Sequence, residues 1–119
     1  MKKDNVIKEK SYKFALRMIK AYKFLTNEQK EFILSKQMIR SGTAIGALVR
    51  EAEFAQSPSD FIHKLSIALK EANETEYWMS LLKDSEYISE ASFHSIHKDC
   101  VELIKLLASI INTSKKNNC

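Results

Sequence analysis

The sequence predicts an all-α protein, an antiparallel up-down-up-down four-helix bundle in which residues 1–119 form a single domain. Two observations support this prediction. The chain has two Gly and one Pro in 119 residues, whereas β folds need turn-forming residues every few positions. Apolar residues also recur at helical spacing in four segments separated by short breaks, about 5–25, 28–56, 58–84 and 89–114. Short connections make consecutive helices antiparallel neighbours.

The first predicted helix has an apolar side and a basic side. At about 100° per residue, five apolar or aromatic residues share the expected core side: Ile7, Phe14, Met18, Tyr22 and Leu25. Four cations fall on the opposite side, within an arc of about 80°: Lys10, Lys13, Arg17 and Lys20. This basic arc is the candidate nucleic-acid-binding surface, although a stripe of this kind is more often a solvated helix face.

The second helix is predicted to begin at a capping box in which Thr26 is the N-cap and Gln29 reaches back to it. Its expected core side contains apolar and small residues: Leu34, Met38, Ser41, Ile45, Leu48, Ala52 and Ala55. Gly42 and Gly46 have the spacing of a close helix contact or a kink. Each glycine destabilises a helix by about 1 kcal/mol relative to Ala, so we expect a neighbour that needs the space.

The third and fourth helices have recognisable first turns. Ser57 is the expected N-cap of the third helix, Pro58 its first residue, and Asp60 suits its positive end. The expected core side of this helix consists of Phe61, Leu65, Ala68, Ala72, Thr75, Met79 and Leu82. After a break at residues 84–88, Ser89 is the expected cap of the fourth helix. The core side of that helix consists of Phe93, Ile96, Cys100, Ile104, Leu107 and Ile111.

The second and third helices carry further apolar or small residues away from their core sides. On the second helix these are Phe32, Thr43, Ala47 and Phe54, flanked by Arg40, Arg50 and Glu51. On the third helix they are Ile67, Trp78 and Leu81, flanked by Glu71 and Glu74. Single exposed apolar residues are common, but both helices show the pattern and an exposed Trp is unfavourable. We interpret these residues as a subunit interface in which Arg–Glu pairs fix the register.

The net charge of +4 is distributed unevenly along the chain. Residues 1–50 have a balance of +8, from 12 Lys/Arg and 4 Asp/Glu, and residues 51–119 have a balance of −4, from 7 and 11. Such a division favours pairing of oppositely charged helices within or between subunits, or attraction of an anionic polymer.

The chain has no bilayer-spanning apolar run and no apolar signal segment. Since Cys100 and Cys119 do not make a disulfide framework, we expect a cytoplasmic protein.

The sequence contains no recognisable catalytic or metal-binding motif. His94, His97 and Cys100 recur every three residues, but that spacing drifts around a helix and no second group of ligands accompanies it. A di-iron bundle needs two Glu-x-x-His units, and neither a phosphate-binding loop nor a nucleophile motif is present. Glu71 and Glu74 could form an acid–base pair, but such residues are more often solvated or paired with Arg. We therefore expect no enzymatic activity, no metal and no cofactor.

Several segments in the middle of the chain resemble a known bacterial family. They are Arg-Ser-Gly-Thr-Ala-Ile-Gly-Ala at 40–47, Glu51-Ala52, Asp60-Phe61, Lys-Leu-Ser-Ile-Ala-Leu-Lys-Glu-Ala at 64–72 and Glu-Thr-Glu-Tyr-Trp at 74–78. The chain resembles the four-helix-bundle proteins whose founding members are encoded in intervening sequences of 23S rRNA genes. Ala44 and Leu48 replace the Ser and Asn that are usual in that family.

The resemblance has consequences for assembly and binding. The family is similar to the accessory protein of diversity-generating retroelements, a basic ring-shaped pentamer that engages a reverse transcriptase and nucleic acid. The resemblance therefore implies a homopentamer, is compatible with binding of RNA or DNA, and does not imply catalysis. Two hypotheses follow. The protein is either a nucleic-acid-associated adaptor that repeats its basic arc around a ring, or a structural module that recruits a partner protein without binding nucleic acid.

Overall fold

The predicted four-helix bundle is confirmed by a computed structural model, which describes residues 2–117, with side chains from residue 5 onward. The helices are α1 (Lys2–Asn27), α2 (Leu34–Glu53), α3 (Pro58–Asp84) and α4 (Glu90–Asn117). α1 and α3 each pack against both α2 and α4, in a bundle of 48 × 21 × 19 Å. Cys119 lies outside the described residues.

The core sides predicted for the four helices are buried along most of their length. Some predicted core residues are only half-buried: Tyr22, Leu34, Leu48, Ala55, Phe61, Ile96 and Ile104. Other residues are buried although they were not predicted: Ser11, Ser35, Val49, Leu103 and Ile110. Each helix contacts two neighbours, so its buried side is wider than a single stripe of residues. On α4 the buried side therefore includes Leu103 and Ile110 beside Cys100 and Leu107.

The two glycines of α2 allow α1 to approach closely. A Cβ atom at Gly42 would lie 2.4 Å from Cγ and 2.6 Å from Sδ of Met18, which is completely buried. A Cβ atom at Gly46 would lie 3.3 Å from the main-chain carbonyl oxygen of Ser11. The predicted close helix contact at these glycines is therefore present, and its partner is α1.

Small residues also bring α2 close to α3. The hydroxyl oxygen of Thr75 lies 2.8 Å from that of Ser41 and 2.8 Å from the main-chain carbonyl oxygen of Glu71. Ala68 and Ala72 on the same side of α3 are fully buried. A buried hydroxyl is costly unless it has a hydrogen-bond partner. Here one O–H···O bond joins the two hydroxyls across the helix contact, and the carbonyl oxygen of Glu71 or of Met38 accepts the remaining proton.

The predicted capping box at Thr26 is wrong. α1 continues through Thr26 to Asn27, and the Thr26 hydroxyl donates to the carbonyl oxygen of Tyr22 at 2.9 Å. The chain then turns, with Lys30 in the left-handed region at φ 55°, and α2 begins only at Leu34. Phe32 therefore lies in the turn and not on α2.

The first turn of α2 is capped by the carboxylate of Glu31. It accepts the main-chain N–H groups of Ile33, Leu34 and Ser35 at 3.1, 2.9 and 2.7 Å. The first N–H groups of a helix have no partner within the helix, so the carboxylate satisfies donors that the helix leaves open. Burial by itself would raise the pKa of Glu31, but these hydrogen bonds outweigh burial and lower it.

The caps predicted for α3 and α4 are confirmed. The Ser57 hydroxyl accepts the N–H of Asp60 at 3.0 Å, and Pro58 is the first residue of α3. The Ser89 hydroxyl accepts the N–H of Ser92 at 3.1 Å. Ser57 and Ser89 thus fix the points at which the chain reverses direction.

Replacing Gly42 with Ala should destabilise the protein. Overpacking against Met18 costs about 1–3 kcal/mol, which exceeds the gain of about 1 kcal/mol in helix propensity. We expect a net loss of about 1 kcal/mol in the free energy of unfolding, measured by urea denaturation. Shortening Met18 to Ala should remove the clash, so the double variant should lose less than the sum of the two single losses. Additive losses would contradict the close contact.

Replacing Glu31 with Gln should lower the free energy of unfolding at neutral pH by about 1 kcal/mol, because a charged cap becomes neutral. A carboxylate with a lowered pKa stabilises the fold above its unfolded-state pKa, and this stabilisation disappears as pH falls through the lowered folded-state value. The difference between wild type and variant should therefore shrink in acid. The exposed Glu28 of the same turn offers the matched Glu28→Gln control, which should change little.

Candidate interaction surfaces

Most of the predicted interface residues lie together where the outer edges of α2 and α3 meet. We define the α2–α3 face as Arg40, Thr43 and Ala47 of α2 with Ile67, Glu71, Glu74, Trp78 and Leu81 of α3. Spacings of three and four residues place each set on one side of its helix. Ala47 is exposed, whereas Thr43 and the residues of α3 are half-buried. Trp78 packs partly against the core, so it is less exposed than an outward-pointing Trp would be.

A cluster of charges connects the two helices of this face. Arg40 lies 2.7 Å from the Glu74 carboxylate and 3.7 Å from that of Glu71. The indole N–H of Trp78 donates to Glu74 at 3.3 Å. Pairing of Arg40 with Glu71 and Glu74, which the sequence predicted, is therefore present within one chain. One guanidinium lies beside two carboxylates, so the cluster has one more acidic group than it has cations. We call this the surplus of acid.

Glu71 is the more buried acid of the cluster. Its side chain is 17% exposed, against 52% for Arg40, and its buried Oε1 atom has no hydrogen-bond partner among the described residues. Burial, together with the neighbouring Glu74, raises the pKa of Glu71 against the opposing effect of Arg40. Burial also acts on Glu74, but hydrogen bonds from Trp78 and Arg40 lower its pKa. The cluster is therefore neutral when Glu71 holds a proton and carries one negative charge when it does not.

The remaining candidates on α2 lie near the C-terminal end of that helix. Glu51 pairs with Lys64 of α3 at 3.2 Å. Phe54 follows the last residue of α2 and is 74% exposed. Arg50 is exposed and forms no ion pair with residues 5–117 of its own chain, so its pairing with Glu71 or Glu74 of another subunit stays a prediction. These residues and Ala47 line a shallow groove of about 510 Å³.

The sequence predicts that the basic arc of α1 forms one outward surface. In the structure the four cations do not share one surface. Lys10 lies 3.1 Å from Glu102 of α4. Arg17 lies 2.6 Å from Asp99 and also donates to the main-chain and side-chain oxygens of Ser95. These two cations therefore join α1 to α4, because the arc extends round to the side on which α4 packs.

The other two cations of the arc point outward. Lys13 pairs at 2.8 Å with Glu9 of its own helix, and both side chains are about two-thirds exposed, at 69% and 67%. Lys20 is exposed and forms no ion pair within residues 5–117. Lys13 and Lys20 are therefore the more exposed two of the four candidates.

α1 carries an exposed apolar ridge that we did not predict from the sequence. Tyr12, Leu16 and Ile19 are 65%, 51% and 38% exposed. Their spacing of four and three residues places them on one side of the helix. That spacing was visible in the sequence, but the stronger apolar stripe of Phe14 and Met18 concealed it. We call these three residues the α1 ridge.

His97 and Cys100 each have a partner within the bundle. His97 Nε2 lies 2.7 Å from the Glu76 carboxylate, and the His97 ring stacks on Phe93. Cys100 is fully buried, and burial together with the charge of Glu76 raises the pKa of its thiol to about 12. A thiol of this kind stays protonated near neutral pH and is inert. Among the described residues, no group of three possible ligands is placed to hold a metal ion.

Comparisons with known proteins extend these observations. Residues 3–109 match the family model of the 23S rRNA-intervening sequence protein. A similar solved structure is the crystal structure of a protein of unknown function from the S23 ribosomal protein family of Bacteroides thetaiotaomicron VPI-5482. It is 63% identical in sequence, with a TM-score of 0.92 over 92% of this chain and 98% of that chain. A search of curated proteins gave no match. Within residues 2–117, no helix has the length and apolar character needed to cross a membrane.

Replacing Arg40 with Ala should lower the free energy of unfolding by about 1–2 kcal/mol at neutral pH, because two neighbouring carboxylates lose their cation. The half-exposed position of Arg40 keeps this loss below that of a fully buried pair. The loss should shrink as pH falls through the raised pKa of Glu71, because protonated Glu71 needs no cation. The Arg40→Ala/Glu71→Gln variant should likewise lose less than Arg40→Ala. Urea denaturation at neutral and mildly acid pH tests both effects, and a loss independent of pH would contradict them.

Proposed function

Since the chain belongs to the family of 23S rRNA-intervening sequence proteins, we propose that it is a non-catalytic cytoplasmic module that assembles with copies of itself. The α2–α3 face is the subunit interface. The observation on which this proposal rests is the combination of apolar, small and charged residues on that face. Trp78 and Ile67 supply apolar area beside a half-buried ion cluster with a surplus of acid. Aromatic residues and Arg are the types enriched in protein interfaces.

The shape of the face favours contact with another helix. Thr43 and Ala47 are small, and the exposed Ala47 leaves the edge of α2 open to close approach. Small residues at a helix surface form the holes into which larger side chains of a partner helix insert. The exposed Phe54 extends the apolar part of the same surface.

The number of subunits is proposed from resemblance. The likeness to the ring-shaped accessory protein of diversity-generating retroelements supports a homopentamer. The same surface could instead recruit a partner protein, which is the alternative function. Mass measurements separate the two, because only self-assembly raises the mass of the purified protein.

Nucleic-acid binding is a second candidate function, supported by the charge of the N-terminal half. Residues 1–50 carry a balance of +8. Lys13 and Lys20 of α1 are exposed. Contacts from such lysines would reach phosphates, so the binding would be insensitive to base sequence. A ring would repeat these weak contacts and strengthen them through effective concentration.

Replacing Ala47 with Arg should convert the assembly to monomers. A bulky cation on the edge of α2, where the side chains are small, prevents a partner helix from approaching closely. The substitution also adds a positive charge without adding a negative charge to pair with it. Light scattering coupled to gel filtration should give the mass of one chain, with unchanged helicity by circular dichroism. Ala91→Arg, on the exposed first turn of α4, makes the same change elsewhere and should leave the mass unaltered. An Ala47→Arg protein with wild-type mass would contradict the proposed interface.

If nucleic acid is bound, the Lys13→Glu/Lys20→Glu variant should bind RNA and DNA much more weakly than wild type. Arg17 is retained in this design because it connects α1 to α4. Wild-type binding to duplex DNA should fall with salt at a logarithmic slope of about −0.9 per neutralised phosphate. Lys98→Glu/Lys105→Glu on α4 is the control with the same change of net charge. Equal binding by both variants and wild type in a filter assay would exclude the α1 surface.

A further inference from the structure

We propose that the contact between copies is heterologous: the α1 ridge of one copy packs on the α2–α3 face of the next. This inference rests on the proposed self-assembly and specifies which two surfaces meet. It follows from three properties of the described residues, namely the apolar character of the ridge, the opposite charges of the two surfaces and their difference in shape.

The ridge is an apolar surface without a partner among residues 5–117. Tyr12, Leu16 and Ile19 expose between 38% and 65% of their surface. They follow one another along one side of α1 at the spacing of a helix-packing stripe. A row of this kind normally packs against another element, and within residues 5–117 the buried side of α1 is a different one, which includes Phe14 and Met18.

The charges beside the ridge are complementary to those of the α2–α3 face. Lys23 lies four residues after Ile19, so it continues the side of the helix on which the ridge stands, and it is exposed. It forms no ion pair within residues 5–117. The α2–α3 face has a surplus carboxylate in its Arg40–Glu71–Glu74 cluster. Lys23 beside the ridge would supply a cation to the cluster.

Charge also argues against a symmetric contact between two ridges. Ridge against ridge would bring the lysines of two copies together. Like charges placed opposite each other at an interface are unfavourable. Ridge against face instead places Lys23 of one copy beside the Glu71 and Glu74 carboxylates of the next, which are opposite in charge.

The shapes of the two surfaces agree with this pairing. The ridge projects large side chains such as Leu16, whereas the α2 edge of the face has Thr43 and the exposed Ala47. Large side chains packed against small ones interdigitate as knobs into holes. Because the ridge and the face are different surfaces of one chain, the contact repeats from copy to copy and either closes into a ring or extends into a filament.

Mixing two monomeric variants tests the inference. Leu16→Arg disables the ridge and leaves the face intact, whereas Ala47→Arg disables the face and leaves the ridge intact. Each variant alone should be monomeric, and an equal mixture should form a dimer with one copy of each, because only one productive contact remains. Native mass spectrometry of the mixture, with one variant carrying a mass tag, reports the composition directly.

The outcomes separate this inference from the proposal on which it rests. If wild type is monomeric, self-assembly itself fails. If Ala47→Arg is monomeric but Leu16→Arg assembles as wild type does, self-assembly stands. The ridge is then not the surface that meets the α2–α3 face. If both variants are monomeric and the mixture stays monomeric, the contact is isologous and the inference fails. Tyr12→Arg is a second ridge variant at a more exposed position, and circular dichroism checks that every variant is folded.

Discussion

The close approach of α2 to both of its neighbours is the constraint on which the rest of the structure depends. Gly42 leaves no room for a Cβ beside Met18, and a hydrogen bond joins the Ser41 and Thr75 hydroxyls across the contact with α3. Small residues along α2 therefore serve packing on two sides at once. The outer edge of α2 also carries small side chains, Thr43 and Ala47.

The charges of the chain have both internal and external uses. Lys10 and Arg17 join α1 to the acids of α4, so part of the uneven charge of the sequence is matched within one chain. The Arg40 cluster is different, because one cation there faces two carboxylates and burial raises the pKa of Glu71. A half-buried surplus of acid is unfavourable in an isolated chain. A neighbouring subunit that places a cation beside these carboxylates would remove this cost. For this reason we propose that the α2–α3 face is the surface used in assembly.

The fold could be predicted from the sequence because the periodicity of apolar residues and the Ser caps act locally. The start of α2 could not, because Thr26 fits a capping box as well as it fits a last turn. The choice was decided by Glu31, whose carboxylate reaches three N–H groups only after the chain has turned at Lys30. Helical spacing alone also cannot tell which side of α1 will meet α4, so the basic arc seemed to be a single surface. The α1 ridge became apparent only once the buried side was known.

The central claim is that the chain is one subunit of a closed assembly, and sedimentation velocity of the wild-type protein tests it most directly. The account predicts a single species at micromolar concentration with about five times the 13.7 kDa of one chain. A single species of 13.7 kDa at those concentrations would contradict the account.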